Sequence, residues 1–156
     1  MTKAIDIRAV SGVLYGVYKA LHEVAGASAP AIMRKAAPDI LRSLETSGVD
    51  FSGVNSIERL EDMLRKTMVE SGCCDDMQFH LDGDKLQTNI TNCSFFDLTM
   101  ALKAKGIPPF GCPFAALTVA VAERNLNKRA RIVKLEPTEN GGPGDTTLVV
   151  ELHDKT

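Results

Sequence analysis

Apolar positions along the chain recur first at a helical spacing and then at an alternating one. Ile7, Val10, Leu14, Val17, Leu21 and Val24 fall three or four residues apart, an a/d seam that predicts a long helix. Gly12 and Gly16 lie one turn apart on it, flanked by Tyr15 and Tyr18. Each glycine costs a helix roughly 1 kcal/mol against Ala, so close approach of another helix is the expected reason for the pair. Such a seam requires a partner, from within the chain or from a second copy. Gly26 stops this helix, Ser28 caps the next and Pro30 opens its first turn. The expected apolar stripe of that second helix is Ile32, Ala36, Ile40 and Leu44, with a kink at Pro38. After a loop over Thr46 to Gly53, Asn55 with Glu58 reads as a capping box for a third helix bearing Ile57, Leu60, Leu64 and Met68, which Gly72 ends.

The period then becomes two. Met77, Phe79 and Leu81 alternate with Gln78, His80 and Asp82, and Leu86, Thr88 and Ile90 continue beyond Gly83-Asp84. A two-residue loop there pairs Leu81 with Leu86, Phe79 with Thr88 and Met77 with Ile90, placing the apolar set on one face. Ser94 is the expected cap of a short helix that Lys103, Lys105 and Gly106 terminate. A rigid Ile107-Pro-Pro-Phe110-Gly111 connection follows, and Cys112 precedes Pro113 at the head of a helix apolar nearly all round, the expected central one. Arg131, Val133 and Leu135, then Thr146 to Leu152, read as a second hairpin, with a long, mobile loop between them. The fold class is α+β: N-terminal helices, then a hairpin, two helices and a second hairpin forming an antiparallel sheet packed on helices. The 156 residues suit a single domain over 1–156, with a helical part over 1–72 and a ββααββ part over 73–156.

Composition narrows the function. Apolar residues make up 44%, enough for a core, and 18 basic residues against 20 acidic ones exclude disorder and a polyanion-coating role. With no Trp and 5% aromatics, stacked single-stranded nucleic acid is excluded as the main ligand. Phe114 to Ala122 is too short to span a bilayer, and Asp6 and Arg8 interrupt any N-terminal signal sequence. The expected location is the cytoplasm, where four cysteines stay reduced or bind metal.

Candidate chemistry centres on those cysteines. Cys93 and Cys112 each lie at a predicted helix start, where the positive helix end lowers a thiol pKa. Cys73 and Cys74 sit between the third helix and the first strand, and His80 is on the polar side of that strand. Thiolate and imidazole form the usual zinc set, so Cys93, Cys112, Cys74 and His80 are the candidate metal ligands; buried, small hydrophobic thiols are the other reading. No Walker loop, G-x-G-x-x-G, G-x-S-x-G or H-E-x-x-H motif is present, and no catalytic residue is assigned. His22 and His153 read as solvated, as does the basic set Arg124, Lys128, Arg129, Arg131 and Lys134. Phe95, Phe96, Phe110 and Phe114 cluster at the starts of two adjacent helices, where they either pack a core or line a cavity with Cys93 and Cys112 at its polar end.

The stretch FHLDGDKLQTNITNCSFFDL, then GCPFAALTVAVAE, RARIVKLE and TTLVVELHD resembles the 4-vinyl reductase (hydrocarbon-binding) domain family. Its relatives include TRAPP vesicle-tethering subunits, the sensor domains of phenol-responsive activators and heme nitric-oxide-binding domains. The pieces that match are Asn92-Cys93-Ser94-Phe95 at a strand end, Cys112 heading the buried helix, and the closing hairpin. The resemblance implies a homodimeric domain that binds or senses a hydrophobic small molecule. It also admits a non-catalytic interaction scaffold and a thiol- or metal-dependent enzyme of the vinyl reductase type. In zinc-binding relatives the final hairpin loop adds ligands, but Pro137 to Asp145 contains no cysteine here.

Overall fold

In the computed structural model, residues 6–108 and 112–156 are described. Phe110 and the centre of the Pro-Pro connection lie outside the described residues. The element order is α1 (Ile7–Ala25), a 3-10 turn (Gly26–Ser28), α2 (Ala29–Thr46), α3 (Ile57–Glu70), β1 (Asp76–Asp82), β2 (Lys85–Thr91), α4 (Phe96–Ala104), α5 (Pro113–Asn125), β3 (Lys128–Pro137) and β4 (Thr146–Asp154). This is the α+β arrangement read from the hydrophobic pattern.

The four strands form one antiparallel sheet in the order β1-β2-β4-β3. The first hairpin has the expected register, Met77 opposite Ile90, Phe79 opposite Thr88 and Leu81 opposite Leu86. Gly83 supplies the positive φ, +59°, that its two-residue turn requires. Leu86, Ile90, Leu148 and Val150 are fully buried on the inner face. Against that face lies α5, with α2 packed on its other side, and α3 covers β1. The burial of α5 follows from its composition, for Phe114, Ala115, Leu117, Val119 and Val121 through Ala122 leave no polar face to give to water.

Several local expectations are displaced. The buried side of α2 runs through Ala29, Ala37 and Leu41 with Met33 and Leu44 beside them, while Ile32 is 45% exposed. The stripe through Ile32, Ala36 and Ile40 is therefore about one residue, or ~100°, off the face that α5 covers. The cap of α3 is Ser56, whose Oγ accepts from the Arg59 N–H at 3.2 Å, rather than Asn55. Ser94 does not cap α4; its hydroxyl donates to the Gly72 carbonyl at 3.2 Å. In β3 the inward residues are Ala130 and Ile132, then Leu135, because a bulge between Ile132 and Lys134 adds Val133 to the strand and shifts the alternation by one.

On α1 the core side is Leu14, Tyr18 and Leu21, while Val13, Val17 and Val24 are 67%, 54% and 89% exposed. A Cβ placed at Gly12 or Gly16 would meet nothing within 4 Å, so among the described residues no helix uses the glycine groove. His22, expected in water, is half-buried, and its enclosed Nδ1 has no hydrogen-bond partner among the described residues.

Candidate functional site

A corner at the end of the first hairpin gathers three cysteine-bearing segments. Asn92 leaves β2 at φ +49°, a left-handed conformation that Asn tolerates. Its N–H donates to Asp145 Oδ1 at 2.9 Å and its Nδ2 to Asp75 Oδ2 at 3.0 Å. The Cys93 N–H donates to the Gly144 carbonyl and the Ser94 N–H to the Cys73 carbonyl, each at 2.9 Å. Asp145 also accepts from the Gly142 N–H at 2.8 Å, and these two amides hold its carboxyl below the usual carboxylate range. The 138–145 loop, expected to be mobile, is thus pinned to Asn92 and Cys93. A Cβ at Gly144, which has φ +84°, would sit 3.3 Å from the Asn92 Cα.

Cys74, Cys93 and Cys112 are 3%, 6% and 2% exposed, and Cys73 is half-buried, its Sγ accepting from Ser71 Oγ at 3.2 Å. The lowered pKa values expected at helix starts do not occur. Burial pushes Cys93 up to about 12, with further upward pressure from Cys112, Cys74 and Cys73. Burial likewise takes Cys74 to about 11, and the neighbouring Cys73, Asp76 and Asp75 act in the same direction. Cys112 is raised by burial against the opposing pull of the Ala115 and Phe114 amides and the Thr99 hydroxyl. Loss of water around the sulfur outweighs the positive end of the helix.

These thiols are neighbours, yet among the described residues no group of three or more His, Cys, Asp or Glu side chains is placed to hold a metal. His80 sits on the exposed face of β1, six residues from Cys74, about 20 Å along an extended strand. It borders a shallow depression with Lys85, Gln87, Lys134 and Glu151. It therefore does not join the cysteines.

Phe95, Phe96 and Phe114 pack the core. Phe95 and Phe114 meet edge to face, with centroids 5.8 Å apart and planes at 73°, and Phe96 is half-buried against the same cluster. A cleft of about 240 Å³ does lie beside Cys112, but it opens between α4 and the free edge of β3. Its lining includes Thr99, Leu102, Ile107, Cys112, Val133 and Leu135, and not Phe95, Phe96 or Phe114. Of the expected site residues, Cys112 alone borders it, and Phe110 lies outside the described residues. Thr99 and Val133 are lining residues that the sequence does not single out as a site. Nothing in the sequence marks Thr99, and Val133 reaches the cleft through the bulge that pairing with β4 creates between Ile132 and Lys134. The basic set is largely paired: Arg124 with Glu45, Lys128 with Asp154, Arg131 with Glu151 and Lys134 with Glu136, at 2.6–2.7 Å.

Residues 10–146 match the family model described as "Putative rubredoxin C-terminal domain" (RdxA_C). The chain belongs to this family. No curated protein matches it. A solved heme protein, described under "Modulating Heme Redox Potential Through Protein-Induced Porphyrin Distortion", aligns over 97% of this chain and 77% of its own, with a TM-score of 0.51 and 11% identity. At that identity what is shared is the fold. The small α+β domain implied by the 4-vinyl reductase resemblance is present, and the family shown is RdxA_C. The cysteines of this RdxA_C domain do not fit a tetrathiolate iron centre, since no three of them converge among the described residues. Nor does a histidine line the cleft beside Cys112. No helix of the described residues is long and apolar enough to cross a membrane.

Proposed function

We propose that this RdxA_C domain binds or senses a small hydrophobic molecule as a homodimer, with the ligand in the cleft between α4 and β3. The observation that carries the reading is the cleft itself, about 240 Å³ with Leu102, Ile107 and Leu135 as apolar walls. Two buried polar atoms, Cys112 Sγ and Thr99 Oγ1, belong to residues of its lining. Apolar walls with a few convergent polar groups are the usual make-up of a ligand site. The volume lies below the roughly 300–1,000 Å³ of drug-sized sites, which favours a single ring or a short chain. Burial keeps Cys112 protonated at neutral pH, and the charged residues of the lining are Lys103 and the ion-paired Lys134 and Glu136, so the apolar walls suit a compound with a hydrocarbon body. The reading of a homodimer rests on the exposed Val13, Val17 and Val24 and on the open Gly12–Gly16 groove, which form one continuous apolar face of α1. That face equally favours the second reading, an interaction scaffold whose partner covers α1.

The test is a thermal melt against a panel of neutral aromatic and aliphatic compounds. A stabilising compound should lose its effect in Val133→Trp, which places a bulky ring at the 40%-exposed edge of the cleft without disturbing the core. If no compound shifts the melt of the wild type, ligand binding here is refuted and the scaffold reading takes its place.

A further inference from the structure

A second cleft, separated from the first by Pro108, has a different chemistry. It lies where α2, α5 and β3 meet, holds about 140 Å³, and has Met33, Ala116, Val119 and Ile132 in its apolar wall. Its charged lining residues are Arg34 and Arg131, with no carboxylate among them. We propose that this cleft binds a small monocarboxylate with an apolar tail about the size of a benzene ring. The inference does not rest on the reading of the cleft beside Cys112.

Three observations support it. The volume is close to the roughly 150 Å³ of apolar cavity known to accept benzene. The position of Arg34 is fixed by the fold: its Nη2 donates to the Ala130 carbonyl at 3.0 Å and its Nε lies 3.6 Å from Glu123 Oε1. A guanidinium has five N–H donors in a rigid fork, so these contacts orient it while leaving Nη1 for a ligand. Arg131 meets Glu151 through Nη2 and likewise keeps donors free. The surroundings are also cationic. The adjoining stretch of the α2–α5 seam shares Arg34 and adds Arg124 and Lys155, with Glu123 in its lining and Glu45 paired to Arg124. In a chain whose formal net charge is −2, the basic side chains Arg34, Arg124, Arg131 and Lys155 outnumber the carboxylates Glu45, Glu123 and Glu151 around them by one. A carboxylate at the guanidinium and a hydrocarbon group between Met33 and Val119 satisfy both halves of the lining at once.

The experiment uses the full chain and two carboxylates, hexanoate and benzoate, followed by amide NMR shifts and thermal melting. Hexanol and benzyl alcohol report the tail alone, and acetate reports the charge alone. The expected result is saturable binding of the two tailed carboxylates, with shifts at Ala116, Val119 and Ile132, and with affinity falling as salt is added. Acetate and the alcohols should fail to reproduce it. Arg131→Gln, a change at a surface side chain, should weaken binding by about tenfold, as expected for loss of one charge-assisted contact. Ala116→Leu should abolish it by filling the cavity, with retained melting cooperativity showing that the variant folds. Val133→Trp should leave it intact, and loss of binding there would place the carboxylate beside Cys112 and overturn the assignment. Equal binding of hexanol and hexanoate, or no shift with either carboxylate, would overturn it as well.

Discussion

Raising the pH should unfold this domain through its buried thiols, and Cys93 is one where the effect can be worked out. Its pKa is about 12 in the folded chain against an ordinary value of 9.0. The folded value is the raised one, so the stability carried by the protonated thiol is complete below about pH 9 and is lost as pH rises toward 12. Each unit of difference corresponds to about 1.4 kcal/mol, so near pH 10.5 the penalty from Cys93 alone is about 2 kcal/mol. That is a substantial part of the roughly 5–15 kcal/mol by which a domain is ordinarily stable. Cys74, held at about 11, acts in the same sense over a narrower window. The assay is urea denaturation under reducing conditions at a series of pH values, for the wild type and for Cys93→Ala. Lysines and tyrosines titrate in both, so the comparison isolates the thiol. The variant should lose about 2 kcal/mol less between about pH 8 and pH 10.5. A thiol reagent applied to the native protein at neutral pH should label half-buried Cys73 well before Cys93. Identical pH slopes, or labelling of native Cys93 as fast as a small free thiol, would show that the helix start controls the sulfur after all.

Val17→Glu should convert a micromolar dimer to a monomer in light scattering with an unchanged melting temperature, because Val17 is 54% exposed on α1. Leu14→Glu should instead lower the melting temperature, since Leu14 packs on the core side of that helix; a wild type that is already monomeric would refute the dimer. Phe114→Ala removes a ring that is 2% exposed and meets Phe95 edge to face, and should cost about 3–5 kcal/mol in urea melts while leaving dimerisation intact. A loss below about 1 kcal/mol would mean that the ring borders a void rather than a packed core.

What the sequence determined by itself is what neighbours along the chain enforce. The register of Met77, Phe79 and Leu81 against Ile90, Thr88 and Leu86 follows from a side-chain period of two and a turn that needs Gly83. The central place of α5 follows from a segment with no polar face to expose. The α+β order follows from the switch of period near Gly72. Tertiary structure decided the rest, because burial depends on what other elements cover. Helix α2 has apolar residues on two adjacent faces, and contact with α5 selects the one through Ala37 and Leu41. The polar loop over 138–145 reads as free in composition, but it is fixed by amides of Asn92, Cys93 and Gly142 that lie up to about fifty residues away. Cys93 and Cys112 stand near helix starts, which by local rules makes them acidic. Packing removes their water, and desolvation outweighs the helix end. The clefts were hidden for the same reason: each is bounded by elements distant in sequence, and the bulge at Val133 that shapes the wall beside Cys112 exists only in pairing with β4.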